Sequence, residues 1–461
     1  MHSETIATIG LLPLYLELYD EAMPELRKDF APFIDKVVRS FEEKGIRPLV
    51  ADVCCTAPQF ESAISLFEEH DVDCIVTLHL TYSPSLESIE ALSRTSLPLI
   101  VLNTTPDPAF DSTDLLMHNH GIHGVQDMCN LLKRKGKKFF IEAGHLDLSN
   151  IVERAAAHVT GAKIAKAFSR SRVGKIGNTF AGMGDFQVEK TELDAIGIKV
   201  IDATPGDVAR HLPTPNNPTV LKEIEDDRAA YDASRLSNEV LERSVRTGLA
   251  LRKWINEEKI DALTINFQVI TQDAGLPVMP FLEISKLMGR GIGYAGEGDV
   301  LDAAFVGALS KVLGEVSFTE MFCPDWKNDV IFLSHMGEIN IALSEEKVQL
   351  FEKDWPFTNA GAPVYPSACF RQGEALLVNL APGGNRKFSL IISPVRMLKE
   401  LDKKKTKGIR GWMKPEIPVN DFLKKYSEAG GTHHVALVYG RPTTILKSFA
   451  SIMNWEITEI K

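Results

Sequence analysis

The sequence predicts an α/β protein: two open parallel-sheet α/β domains followed by a β-rich, barrel-like carboxyl-terminal domain. Three observations carry that prediction. A chain of 461 residues exceeds what one hydrophobic core serves, so it divides into domains. Over its first two thirds, short runs rich in Val, Ile and Leu alternate with amphipathic stretches, the pattern of βαβ units around a covered parallel sheet. From about Ser317 the texture changes to strand-like runs joined by Gly, Pro and Asn turns, with few helical repeats between them.

The first domain is assigned to residues 1–170. It opens with the strand run "ETIATIGLLP", followed by a helical pattern from about Glu21 to Lys44. The runs "RPLVADVCC", "VDCIVTLHL", "LPLIVLN" and "KKFFIEAG" supply further strands, with "FESAISLFEEHD" and "SLESIEALSRT" as helices between them. The second domain, 171–316, begins at "SRVGKIGNTFAGMGDF" and continues through "GIKVIDATPGDV", a long polar helical stretch over about 219–258, and "IDALTINFQVI". Two helical stretches, "MPFLEISKLMGR" and "VLDAAFVGALSKVLG", then flank the decapeptide "GIGYAGEGDV". The third domain, 317–461, holds "DVIFLSHMGEINIAL", "EALLVNLAPGGNRKFSLIISPVRML" and "THHVALVYG", with "NLAPGGNRKFSL" as a hairpin.

A formal net charge of -11 opposes attraction to nucleic acid or to an anionic lipid surface. The basic run over 398–414 is short and reads as a solvated loop. The opening residues lack the basic-then-apolar order of a signal peptide, and no uninterrupted apolar run reaches the length of a membrane span. The six cysteines form no CxxC pair, so reduced thiols in the cytoplasm are expected.

The decapeptide "GIGYAGEGDV" satisfies GxGxxG through Gly291, Gly293 and Gly296. That motif cradles a pyrophosphate only where it links a strand to a helix, whereas here a helical pattern precedes it. Glu297 and Asp299 would also repel a phosphate. Asp299 suits the N-cap of the helix that starts near Val300. Glu297 finds companions elsewhere: Glu320 in "SFTEMF", His335 and Glu338 in "FLSHMGEIN", and two histidines in "GGTHHVALVYG". Side chains alternate along a strand, so His433 and His434 are expected to point to opposite faces, with at most one serving a single site.

Taken together, "GIGYAGEGD", "SFTE", "SHMGE" and "GGTHH" resemble, in order, the pattern of L-arabinose isomerases and, more distantly, L-fucose isomerases. The resemblance implies that Glu297, Glu320, His335 and His434 hold a divalent metal, Mn2+, and that Glu297 and Glu320 double as catalytic acid and base. It further implies sugar contacts at Leu14, Tyr15, Tyr82, His120, His123, Phe267 and Met336. The segment "NHGIHG" is similar to the family's NQxxHG and "TINFQ" to its TxxFE; "RGWMKPEIP" resembles the stretch before the last histidine. In such relatives the active site lies between subunits, so a homo-oligomer, trimer or hexamer, is expected. The chain departs from the pattern at Leu12, Tyr82 and His120, all on the implied pocket wall.

The implied reaction interconverts an aldose such as L-arabinose and its ketose through a cis-enediol. Two carboxylates and two imidazoles suit an ion of intermediate hardness that polarises the carbonyl. Either glutamate can be the base at C2, and a metal-assisted hydride shift is the alternative route. Other readings are the same chemistry on a different aldose, an epimerisation, a sugar-binding regulator without catalysis, and a nicotinamide-linked oxidoreductase built on GxGxxG.

Overall fold

The computed structural model describes residues 6–384, 387–400 and 407–461. They form two compact units. One holds residues 6–166 together with Thr444–Met453; the other holds Ala167–Thr443 and Asn454–Lys461.

The amino-terminal unit is built on strands β1 (Ala7–Leu14), β2 (Ile46–Val50), β3 (Cys74–His79), β4 (Leu99–Asn103) and β5 (Phe140–Ala143), all parallel, in the order β2-β1-β3-β4-β5. Alternation along β1 serves both faces. Ile9 and Leu11 pack with Phe33, Val37 and Phe41, whereas Leu12 and Leu14 pack with Phe60 and Phe67. The helical pattern expected over 21–44 is interrupted: Leu18–Ala22 is helical, Leu26–Phe30 is a 3-10 turn, and a helix proper occupies Ala31–Glu42. Pro24 cannot continue a helix, whereas Pro32 sits in the first turn, where its missing N–H costs nothing. The late helix Thr443–Ile452 packs on Ile151–Phe168, where a Cβ on Gly161 would stand 2.6 Å from that of Ser448.

In the second unit, β6 (Arg172–Ile176), β7 (Lys199–Ala203), β8 (Ala262–Ile265) and β9 (Gly293–Gly296) form a second parallel sheet, ordered β7-β6-β8-β9. The polar stretch over 219–258 divides into two helices, Pro218–Ala230 and Asn238–Glu258. The chain leaves the helix between them because Asp232 N donates to Val348 O, and Ser237 then caps the second helix.

The remaining strands are β10 (Val316–Asp325), β11 (Val330–Ser334), β12 (Gln349–Glu352), β13 (Val364–Cys369), β14 (Gly373–Pro382), β15 (Phe388–Leu398), β16 (Ile409–Pro415), β17 (His434–Tyr439) and β18 (Glu456–Glu459). Six of them close into a barrel, β16-β11-β10-β17-β14-β15 and back to β16, with β13 and β12 added at one side and β18 at the other. Leu333, Leu377, Ile391, Met413 and Leu437 fill its core. This is the architecture the sequence predicts. The hairpin pairs β14 with β15 as expected; its residues 385 and 386 lie outside the described residues.

The basic run is corrected. Its residues 401–406 lie outside the described residues, but Ile409–Pro415 is a barrel strand, not a solvated loop. Ile409 and Met413 alternate into the core, and Arg410 is buried because Glu400 neutralises it at 2.5 Å. Among the described residues, no helix is long and apolar enough to cross a membrane.

Candidate metal centre

Strand β9 ends at Gly296, and the chain turns sharply through Glu297 (φ 64°) and Gly298 (φ 87°) into the helix Val300–Leu313. Gly293 and Gly296 therefore lie inside a strand rather than in a strand-to-helix loop, which removes the basis of a dinucleotide reading. The turn is pinned by Glu297 N to Ile265 O (3.0 Å), Gly298 N to Thr264 Oγ1 (3.0 Å) and Phe180 N to Glu297 O (2.8 Å). At Gly298 a Cβ would stand 2.6 Å from Thr179 Cα, so only glycine fits that left-handed position. Asp299 caps the helix through Oδ1, which accepts from Asp302 N.

Sheet register supplies the other members. Strand β10 runs antiparallel to β17 with Glu320 opposite His434, and antiparallel to β11 with Glu320 opposite Ser334, the residue before His335. Glu320 Oε1 stands 3.3 Å from His434 Nε2 and 3.5 Å from His335 Nε2. Glu297 Oε2 approaches His434 Nε2 at 3.9 Å. The four residues singled out in the sequence are thus brought to one place.

Each imidazole is held from behind. Asp299 Oδ2 accepts from His434 Nδ1 at 2.9 Å, and Glu338 Oε2 from His335 Nδ1 at 2.5 Å. Glu338 is itself fixed by the Tyr294 hydroxyl (2.7 Å) and the Gly337 amide (2.9 Å). Phe318 meets both rings edge-on, and Phe186 stacks on His434 at 4.9 Å. A carboxylate on Nδ1 fixes the ring's orientation and points Nε2 into the cluster.

His433 corrects the alternation argument. It also faces the cluster, with Nε2 3.8 Å from Glu297 Oε2 and 3.8 Å from Glu320 Oε1, and its ring lies 4.3 Å from that of His434. Strand β17 begins only at His434, so the pleat does not constrain His433; Asp185 does, accepting from its backbone N (3.0 Å) and Nδ1 (2.6 Å). Asp185 belongs to the glycine-bearing segment "NTFAGMGDF", and no spacing rule connects it to a residue so far along the chain.

The electrostatics match a place for positive charge. Burial opposes a charged His434, but the Asp299 and Glu320 carboxylates outweigh it and raise the imidazole to about 10. Burial likewise opposes charge on His433, yet Asp185 and Glu297 raise it to about 9. For Glu320, burial raises the carboxyl and the surrounding histidines more than reverse this. Asp302, beneath Asp299, is pushed up to about 8 by burial and by that neighbour.

The sugar-contact candidates divide between the two units. Tyr82 and His120 (6.3 Å between ring centres) and His120 and His123 (4.4 Å) form a cluster of their own in the amino-terminal unit. Leu14 and Tyr15 are buried there, the Tyr15 hydroxyl without a hydrogen-bond partner among the described residues. In the second unit, Phe267 packs between Phe180 (5.6 Å) and Phe357 (5.4 Å), and Met336 is half-buried beside His335.

Comparison with known proteins agrees with this geometry. Residues 187–315 match the L-arabinose isomerase central domain and residues 315–456 the L-arabinose isomerase C-terminal domain. The chain is 27% identical to L-arabinose isomerase of Geobacillus kaustophilus over 441 residues, covering 90% of this chain and 86% of that protein. It is 23% identical to L-arabinose isomerase of Shouchella clausii over 464 residues, covering 97% and 92%. With matched domains over both halves of the acidic and histidine cluster, the chain belongs to the L-arabinose isomerase family of aldose–ketose isomerases.

Proposed function

We propose that the protein is a metal-dependent ketol isomerase that converts an aldose, L-arabinose in the first instance, to its ketose. The observation that carries this reading is the convergence of two donor sets on His434: Glu297, His433 and His434, and Glu320, His335 and His434, each within 4.8 Å. The residues fit a divalent ion. Glu297 Oε2, His433 Nε2 and His434 Nε2 are buried polar atoms with no hydrogen-bond partner among the described residues, a costly arrangement unless something answers them. Two donors about 2.1 Å from one ion stand at most about 4.2 Å apart, and the separations of 3.3–3.9 Å fall within that reach. Mixed carboxylate and imidazole donors favour Mn2+ over a thiolate-seeking ion.

When bound, such an ion polarises the sugar carbonyl and acidifies the neighbouring hydroxyl. Asp299 and Glu338 keep the protons of His434 and His335 on Nδ1, leaving Nε2 free to bind. Glu297 and Glu320 are the two carboxylates that can move protons, one at C2 and the other at the sugar oxygens. Glu297 suits the base at C2, because the left-handed turn fixes its backbone at the edge of the cluster. Phe186 and Phe318 exclude water from the histidine side. The same reading includes a homo-oligomer, trimer or hexamer, with Tyr15, Tyr82, His120 and His123 completing the pocket of a neighbouring copy. It also includes a cytoplasmic setting, consistent with six free cysteines.

The test is to strip the protein with a chelator, restore Mn2+, and follow ketose formation from L-arabinose, D-galactose, L-fucose and D-arabinose. Turnover of L-arabinose that requires the metal supports the whole reading. Metal-dependent turnover of another aldose alone would shift the substrate, in line with the departures at Leu12, Tyr82 and His120. Turnover that ignores the chelator would remove the metal.

A further inference from the structure

His120 and His123 ride on the first turn of the helix Gly121–Arg134: His120 is its N-cap residue, makes no side-chain cap bond, and lies 4.4 Å from His123 between ring centres. The buried face of that helix begins with Gly121 and Gly124 and continues through Val125 and Met128. Both glycines lie against His79, the last residue of β3. A Cβ on Gly121 would stand 2.7 Å from the His79 carbonyl oxygen. One on Gly124 would stand 2.5 Å from His79 Cδ2, about 1 Å inside ordinary contact. One turn on, Asp127 ties the helix to the loop after β3 by accepting from Ser85 N at 3.0 Å. His79 thus lies directly under the turn that carries both rings.

Stability does not explain an imidazole at this place. His79 is 2% exposed, and burial lowers its ring to about 3 against the opposing effect of Asp127, so the ring is neutral. Neither ring nitrogen has a hydrogen-bond partner among the described residues. An apolar side chain of similar shape would spare the fold that cost. What the ring does supply is a flat edge in a space that only two glycines leave open. We propose that His79 is a positioning residue for the sugar pocket: its ring sets the height of the first helical turn above β3, and with it the placement of His120 and His123. This rests on the reading that those two residues contact the sugar. The residues of the metal centre belong to the other unit, so the ring acts on sugar binding and not on the ion.

The experiment measures KM and kcat for L-arabinose, or for whichever aldose of the panel the wild type turns over, with Mn2+ affinity and thermal unfolding, on full-length Mn2+-loaded protein. The variants are His79→Ala, Gly124→Ala, the two combined, and His123→Ala as reference. Gly124→Ala lifts the turn and should raise KM about tenfold, and His79→Ala, which lets the turn settle, should raise it at least about threefold. In both, kcat changes less than KM and Mn2+ affinity stays that of the wild type. The double variant should recover part of the KM lost in Gly124→Ala, because the added methyl enters the space of the ring. Ser83 N, 3.0 Å from the same Cβ, limits that recovery. KM within about twofold of wild type in both single variants, beside a raised KM in His123→Ala, would overturn the proposal and leave the sugar reading standing. Losses of KM and of thermal stability that run in parallel, with no recovery in the double variant, would make His79 merely structural and overturn it too. Should Gly124→Ala fail to fold, His79→Ala against His79→Asn, which keeps a planar atom where Cδ2 lies, decides. KM raised in the first and near wild type in the second supports the proposal; the same KM in both overturns it. A wild type that turns over no aldose, or an unchanged KM in His123→Ala, removes the sugar reading itself and the proposal with it.

Discussion

Asp299 serves two elements at once: its Oδ2 accepts from His434 Nδ1 at 2.9 Å, while its Oδ1 caps the helix Val300–Leu313. One carboxylate thus ties the helix after the Glu297 turn to the first residue of β17. Asp299→Asn can keep the cap but loses the charge that holds the His434 tautomer. Mn2+ affinity should fall about 10- to 100-fold, while Asp299→Ala should in addition cost about 1 kcal/mol of stability from the lost cap. Metal titration and chemical denaturation of the two variants separate these effects.

In the proposed reaction Glu297 and Glu320 each move a proton, and Glu297→Gln and Glu320→Gln each remove that carboxylate. Turnover should drop by at least about 100-fold in each variant, with the circular dichroism spectrum unchanged. Normal turnover in either variant would remove that residue from the acid/base assignment.

How much of this was legible beforehand differs by residue. The Val, Ile and Leu runs of β1, β3 and β4 announce a parallel sheet because both faces of such strands are buried, and four ordered motifs announce Glu297, Glu320, His335 and His434. The structure adds what depends on register and on where a strand begins. Asp299 was readable as a cap but not as the partner of His434, since the strand pairing that brings them together spans 135 residues. Alternation along a strand misplaces His433 because β17 begins one residue later, at His434. The break at Tyr231–Ser237 was hidden because a polar helical pattern continues across it, and only the backbone pairing of Asp232 with Val348 reveals it.

Gly296 packs directly beneath a candidate ligand: a Cβ there would stand 2.9 Å from His335 Cε1 and 3.1 Å from Nε2. Gly296→Ala should displace that ring and weaken Mn2+ binding at least as much as removing Glu338 does, with a small effect on metal-free stability. Isothermal titration and thermal unfolding of Gly296→Ala beside Glu338→Gln test this directly.

A second buried charge cluster supports the fold away from the centre. Lys286 lies 2.5 Å from Glu223 and 2.7 Å from Asp227, and Arg252 lies 2.7 Å from both Glu223 and Glu283. Lys286→Met strands these carboxylates and should destabilise by about 3–5 kcal/mol in chemical denaturation. Glu223 gives the cluster a pH signature: burial opposes its charge, but Arg252 and Lys286 bring the carboxyl down to about 2. A depressed carboxyl stabilises fully above its unfolded value and loses that contribution as pH falls. Wild-type stability should therefore decline from about pH 4.5 toward 2, and Glu223→Gln should flatten that slope. Asp227, raised by burial and in part by Glu223 itself, titrates in the opposite sense, so the difference between the curves reports Glu223 together with its effect on Asp227.

The most direct measurement is the number of Mn2+ ions bound per chain by the metal-stripped protein, read by EPR in the wild type and in His434→Gln. His434 is the residue both donor sets share, so one tight ion per chain in the wild type and none in the variant is the expected result. Unchanged tight binding in His434→Gln, or no tight ion in the wild type, would contradict the claim that these side chains share a cation.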